Sequence, residues 1–330
     1  RNYRVMKNIK SYIAGTGSFL PKKKITNSDL ELKVDTNDEW IFSRTGIRSR
    51  YIASEDETTS TLALGASIKA VENSFINVNE IDLIILATTT PDETFPATAT
   101  VLQSKLGLTS GIAFDVQAVC SGFVYALTIA DSMLKSGQGK KALVVGAEVF
   151  SRIIDWNDRS TCVLFGDGAG AVVLDTKEGP ENLSNRGILA SKLYSDGRMH
   201  DSLYVDGGPG STQTTGFVKM DGKEVFKHAV INMSNVVLEL ISDLKISIDE
   251  IDWLIPHQAN KRILDSTAKK LGVPEEKVVI TVDKHANTSA ASIPLALDVA
   301  VNDGRIKRGD LVLIEAMGGG FTWGASLIRW

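Results

Sequence analysis

"NEIDLIILATTT", residues 79–90, sets the fold once it is laid beside "DEIDWLIPHQAN", residues 249–260. Both run from a turn through an Ile-Asp pair into an apolar strand, then break off into polar residues. Two more pairs follow in the same order at nearly the same spacing: "QSKLGL" (103–108) with "AKKLGV" (268–273), and "GQGKKALVVGAE" (137–148) with "GRIKRGDLVLIEA" (304–316). Ordered self-similarity of this kind marks a duplicated supersecondary unit, here β–α–β–α–β.

In the first half "IDLIILA", "IAFDV", "ALVVGAE" and "GAGAVVL" read as strands. In the second, "IDWLIP", "VVITV", "LVLIEA" and "GASLIRW" take those places. Between them apolar residues recur at helical spacing, as at Leu127, Ala130, Met133 and Leu134. "IASEDETTSTLALGASIKAVENS" (52–74) supplies a further helix. Strands this apolar need cover on both faces. Two halves sharing their inner helices predict an α/β fold of five layers, α-β-α-β-α. Residues 1–176 read as the first half and 226–330 as the second. Residues 177–225, rich in Gly, Ser and Asp, read as an insertion that caps a site.

Composition narrows the function. The 330 residues, 43% of them hydrophobic, suffice for a substantial core. A net charge of −4 gives no argument for a nucleic-acid partner. Two cysteines make no disulfide framework and fit a reducing compartment. No apolar run is long enough for a membrane helix. The segment "RNYRVMKNIKSYIAG" lacks the apolar core of a signal peptide, so a cytoplasmic location is expected. Met6 reads as the start, with Arg1–Val5 upstream of it.

Aligning Gly137 with Gly304 sets Cys120 opposite Asn287, each at the start of a helix that follows a strand. The same comparison puts His257 just past "IDWLIP". Strand ends and helix N-termini are where α/β sheets gather ligands, so the three are expected to converge. A helix N-terminus favours a thiolate, and a lowered Cys120 pKa is expected from it. A sulfur nucleophile suits thioester exchange. His257 and Asn287 can each donate to one oxygen. Aimed at a thioester carbonyl, they would stabilise the enolate left when a β-carboxylate departs as CO₂.

His285, two residues before Asn287, competes with His257, whereas His200 and His228 sit in no motif. Cys162, in a strand-like apolar run, reads as core. The glycines of "AMGGGFTWG" (316–324) would let backbone approach a ligand, a Gly N–H joining that of Cys120 in an oxyanion hole. "FGDGAG" (165–170) lacks the Lys-Ser/Thr ending of a phosphate loop and reads as close backbone packing.

Five segments, "AVCSGFVYAL", "PHQANKRI", "HANTSAASIPLAL", "GGGFTWG" and "DTNDEWIFSRTGIRSR", resemble β-ketoacyl-[acyl carrier protein] synthase III, a family with the thiolase fold and its mixed sheets. The resemblance implies a two-step condensation that starts type II fatty-acid synthesis. Cys120 would take an acyl group, acetyl being the expected one, from acyl-CoA. His257 and Asn287 would promote decarboxylation of malonyl-carrier protein, giving 3-ketoacyl-carrier protein, CO₂ and CoA. Gly319 and the Cys120 amide would form the oxyanion hole. No metal or cofactor is implied beyond acyl-CoA as substrate.

The resemblance also implies that Trp40 and Arg159 sandwich the adenine of CoA, with Thr36 and Arg44 at its nucleotide end. Gly222, Phe226, Ala259 and Asn260 would line the pantetheine channel. Phe95 would reach the acyl pocket of a second subunit, hence a homodimer. Arg262, Lys227, Lys269 and Lys270 would dock the acidic carrier protein. Ala286 stands where the family has glycine, and Met317 where it has phenylalanine. A thiolase or another condensing enzyme, a carrier-binding scaffold and a papain-type thiol hydrolase remain alternatives. A thiolase needs a second reactive cysteine, and Cys162 is badly placed for that.

Overall fold

The quoted apolar runs become two sheets in the computed structural model, which describes residues 8–179, 182 and 184–330. The start at Met6 lies outside the described residues. The first sheet is built from β1 (Ile9–Phe19), β2 (Leu83–Ala87), β3 (Ile112–Val116), β4 (Ala142–Glu148) and β5 (Gly168–Glu178), ordered β1-β5-β4-β2-β3. The second holds β6 (Gly187–Ser195), β7 (Trp253–Pro256), β8 (Leu311–Gly318) and β9 (Thr322–Arg329), ordered β6-β9-β8-β7. β2 runs parallel to β3 and β4, and β4 antiparallel to β5. Likewise β7 runs parallel to β8, and β8 antiparallel to β9.

Small devices repeat with the sheets. The turns Val78–Glu80 and Ile248–Glu250 open with the capping boxes Asn77/Glu80 and Ser247/Glu250. The Asp82 carboxylate then accepts the Lys140 and Lys141 amides, and its twin Asp252 accepts the Leu311 amide. Each aspartate ties one parallel strand to the entry of the next.

The helices are α1 (Thr59–Ser74), α2 (Thr98–Lys105), α3 (Gly122–Lys135), α4 (Gly222–Leu244), α5 (Lys261–Leu271) and α6 (Ser292–Asn302). Phe123 and Leu127 of α3 and Ile293 and Leu297 of α6 share one core with Ile85 and Val144 of the first sheet and Ile255 and Val312 of the second. Burying each such side chain contributes roughly 1.5–3 kcal/mol, so the two apolar helices form the middle layer. Leu62 and Ala66 of α1 cover the first sheet outside. Val237 of α4 and Leu271 of α5 cover the second. Glycine lets α6 settle closely: a Cβ on Gly146 would lie 2.1 Å from Ala290 O, and one on Gly170 2.6 Å from Leu295 N.

Three local expectations change. "VVITV" forms no strand; Val278 makes a single parallel bridge to Leu254. Beyond it the buried Gln258 side chain replaces a neighbouring strand. Its Oε1 accepts the Thr281 and Val282 amides, and its Nε2 donates to Pro256 O and Val279 O. Within 177–225, residues 187–195 are sheet rather than cap: β6 pairs along β9 as β1 does along β5. Cys162 is core, but it ends a single helical turn, Arg159–Cys162, rather than lying in a strand.

Candidate active site

A cavity of about 440 Å³ opens where the halves meet, and Cys120, His257 and Asn287 line it together. Cys120 lies in the tight turn Val119–Ser121 that leads into α3. Asn287 lies just before the matching turn, Ser289–Ala291, that leads into α6. The twinning extends to the backbone: the preceding residues, Val119 and Ala286, have φ of 48° and 59°. Such values are rare for a residue with a Cβ.

The expectation of a lowered thiol pKa is corrected. Cys120 is buried, and burial pushes its thiol up to about 12; the nearby Glu148 carboxylate pushes the same way. Burial disfavours the charged thiolate and so works against ionisation at this helix start.

The other two groups are set as donors. Asn287 is pinned by its backbone, its N–H to Leu164 O and its carbonyl to the Gly166 N–H. Its Oδ1 accepts the Ser289 N–H at 2.9 Å, which leaves Nδ2 for the cavity. His257 is buried, and desolvation lowers its pKa to about 3, so the ring is neutral. Its Nδ1 lies 2.7 Å from Ser292 Oγ, leaving Nε2 for the cavity. His285 is also buried and neutral, with its pKa lowered to about 4. It stands edge-on to Tyr51, outside the cavity lining.

The glycine run after β8 presses against the Cys120 turn. A Cβ on Gly318 would sit 2.6 Å from Cys120 N, and one on Gly319 2.9 Å from Leu203 O. Met317 lines the cavity and accepts from Asn232 at its sulfur.

Gly222, Phe226, Ala259 and Asn260 all line the cavity. A Cβ on Gly222 would meet only the tip of Met220, at 3.8 Å, so this glycine keeps space open rather than packing. Asn260 caps α5 through Oδ1. Arg44 lines the cavity and lies 4.6 Å from the Trp40 ring centre; Arg159 lies 5.1 Å from it. At that spacing Arg159 and Trp40 make a direct cation–π contact with no room for a base between them, and Arg159 also donates to Asp35 O. The Thr36 hydroxyl is buried without a partner among the described residues.

The basic residues divide. Arg262 lines the cavity, as does Lys223, which sequence reading missed. Lys227 lies one turn beyond Lys223 on α4, 4.0 Å from Glu224. Lys269 and Lys270 occupy the last turn of α5, about 10 Å along the axis from Arg262. Phe95 is 81% exposed and outside its own chain's cavity.

Two buried glutamates were also missed. Glu148, the last residue of β4, and Glu315, inside the twin strand β8, are both fully buried. Burial raises them to about 7 and about 8. Glu148 accepts from Thr88, Thr89 and Thr90. Neither carboxyl oxygen of Glu315 has a partner among the described residues, while its backbone carbonyl accepts the His257 N–H at 2.7 Å. The repeat aligns the two residues, but nothing in the sequence shows their burial.

Fold and site together define a condensing acyltransferase of the thiolase fold. Models of 3-oxoacyl-[acyl-carrier-protein] synthase III match residues 114–197 and, for its C-terminal part, 241–330. A beta-ketoacyl-[acyl-carrier-protein] synthase III of Erythrobacter litoralis is 64% identical over 98% of this chain and all of its own. The crystal structure of 3-oxoacyl-[acyl-carrier-protein] synthase III from Aquifex aeolicus is 48% identical, covers 97% of this chain and 100% of its own, and has a TM-score of 0.91. That from Pseudomonas aeruginosa is 39% identical over 97% and 98%, also with a TM-score of 0.91. The chain belongs to the β-ketoacyl-[acyl carrier protein] synthase III family, acyltransferases of fatty-acid biosynthesis.

Proposed function

We propose that this chain condenses acetyl-CoA with malonyl-acyl carrier protein. The observation that carries the reading is the meeting of Cys120, His257 and Asn287 in one cavity. Acyl-CoA enters past Arg44 and Arg262, and its pantetheine arm lies along Gly222, Phe226, Ala259 and Asn260. Cys120 attacks the thioester, and the amides of Cys120 and Gly319 hold the oxyanion. CoA leaves, and malonyl-carrier protein takes the channel. The Nε2–H of His257 and the Nδ2–H of Asn287 then bind its thioester oxygen while CO₂ departs, one such donor being worth roughly 3–4 kcal/mol in the transition state. The enolate attacks the acyl-enzyme and expels Cys120. No resident cofactor enters these steps.

The acidic carrier docks on Arg262, Lys223 and Lys227, with Lys269 and Lys270 at the edge of the patch. Thr36, Trp40 and Arg159 hold the nucleotide end of CoA. The enzyme acts as a cytoplasmic homodimer, with exposed Phe95 entering the partner's acyl pocket. A panel of acetyl-, propionyl-, butyryl- and isobutyryl-CoA with malonyl-carrier protein tests the reading. Release of CO₂ with 3-ketoacyl-carrier product, fastest from acetyl-CoA, is expected. Absence of product from every acyl-CoA would overturn it.

A further inference from the structure

In the acyl-transfer reading the amides of Cys120 and Gly319 receive one oxygen, yet they come from opposite halves of the chain. Their spacing depends on how the glycine run after β8 is held against the turn Val119–Ser121. Thr322 opens β9 and pairs with Gly318, the last residue of β8. Gly318 lies against the Cys120 turn: a Cβ on it would meet Cys120 N at 2.6 Å, Ala118 O at 3.0 Å and Val119 Cβ at 3.1 Å. Close packing of this kind sets the distance of approach. It does not by itself stop the hairpin end from sliding along the turn.

Two hydroxyls fasten it. Thr322 Oγ1 lies 2.7 Å from Ser121 Oγ, 3.0 Å from Ala118 O and 3.4 Å from Gly319 O. Ser121 Oγ lies 2.8 Å from the same Ala118 carbonyl, which also accepts the Ser121 N–H at 3.1 Å. Each hydroxyl has one hydrogen and two lone pairs. One donates to the other, and the second hydrogen is left for Ala118 O, the nearer carbonyl to both. Ser121 is fully buried, so its hydroxyl loses heavily if the bond is not made. The fold of the turn does not itself require this bond. Thr288, the twin of Ser121 at the offset that pairs Cys120 with Asn287, is equally buried, and its hydroxyl has no partner among the described residues. The hydroxyl pair belongs to the thiol side alone.

We propose that Ser121 and Thr322 are positioning residues for the oxyanion hole: their hydroxyl pair locks the glycine hairpin of the second half to the Cys120 turn of the first, and so sets the spacing of the Gly319 and Cys120 amides. That role rests on the acyl-transfer reading, in which those amides hold the tetrahedral oxygen. Donors of this kind stabilise charge only when they are already aimed at the place where it develops, and a misplacement of about 1 Å can cost about 10²-fold in rate. Releasing the hydroxyl pair loosens the donors without removing either. Acylation of Cys120 then slows. Binding of the CoA arm along Gly222, Phe226, Ala259 and Asn260 does not depend on the pair.

The test is single-turnover CoA release over a range of acetyl-CoA concentrations, paired with iodoacetamide alkylation of Cys120, which displaces iodide and forms no oxyanion. Wild type, Ser121→Ala, Thr322→Val, Thr322→Ser and the double variant Ser121→Ala/Thr322→Val are compared as full chains. Ser121→Ala and Thr322→Val should each acylate about 10- to 30-fold more slowly, a fraction of the 10²–10³ that follows loss of a whole donor. The half-saturating acetyl-CoA concentration and the alkylation rate should stay near their wild-type values. Thr322→Ser, which keeps the hydroxyl, should recover most of the rate. The double variant should be no slower than the slower single one, because the two side chains share one bond. A pair that merely supports the fold would slow acylation and alkylation together, and that result overturns the proposal. So do multiplying losses in the double variant. If Thr322→Val does not fold, wild-type acylation in Ser121→Ala overturns it equally. If wild type takes no acyl group at all, it is the underlying acyl-transfer reading that fails.

Discussion

Ser292 Oγ lies 2.7 Å from His257 Nδ1 and also accepts the Gln258 backbone N–H at 3.2 Å. With one hydrogen and two lone pairs, that oxygen can donate to Nδ1 while it accepts from Gln258, and in that arrangement the proton of the neutral ring sits on Nε2. Ser292 is then the positioning residue through which His257 faces the cavity as a donor. Ser292→Ala should lower CO₂ release from malonyl-carrier protein by about tenfold, short of the 10²–10³ expected for losing the donor itself. CoA release from acetyl-CoA should change little. Equal loss in both half-reactions would show that Ser292 serves the fold instead.

Ala286 stands at φ 59° and ψ −160°, where a Cβ is strained by about 1–3 kcal/mol. Glycine would relieve that strain but forfeit a buried methyl, about 0.8 kcal/mol, and add unfolded-chain freedom, about 0.4–1 kcal/mol. The terms nearly cancel, so Ala286→Gly should stay within about 1 kcal/mol of wild type and keep its activity. Ala286→Val, β-branched at a positive φ, should cost about 3 kcal/mol or more. Denaturant midpoints check both. A large loss in the glycine variant would mean that the methyl's packing dominates.

Stability should fall as pH rises from about 7 to about 8. Glu315 is raised by burial from 4.5 to about 8, so between those values the folded chain holds a proton that the unfolded chain has released. The slope of one such group reaches about 1.4 kcal/mol per pH unit. His257 and His285, lowered from 6.5, act in the opposite sense, but only below about pH 6.5. Glu148, raised to about 7, adds to the fall in its lower part. Chemical denaturation at pH 6.5, 7 and 8 should show the decline in wild type and much less of it in Glu315→Gln. An identical slope in the variant would contradict the assignment.

The sheets were legible because their strands are apolar on both faces and recur at a fixed spacing. "VVITV" misled because β-branched residues also suit a buried loop, and nothing local marks Gln258 as the group that takes its backbone amides. β6 was hidden by polar neighbours, which fit an edge strand as well as they fit a cap. Within the site, Cys120 and Asn287 were found as twins across the duplication, and His257 by the abrupt end of β7. What pattern reading could not supply was depth. A helix start suggested a thiolate, whereas the burial of Cys120 reverses the sign. Glu148 and Glu315 were aligned by the repeat, yet only their full burial distinguishes them from ordinary carboxylates on a strand.

The central claim is that Cys120 carries the acyl group. It is tested most directly by incubating the enzyme with acetyl-CoA, measuring the intact mass and mapping the adduct by peptide. The account predicts a single acetyl group on Cys120, discharged by malonyl-carrier protein and absent from Cys120→Ser. An acetyl group on another residue, or one that persists in Cys120→Ser, would contradict it.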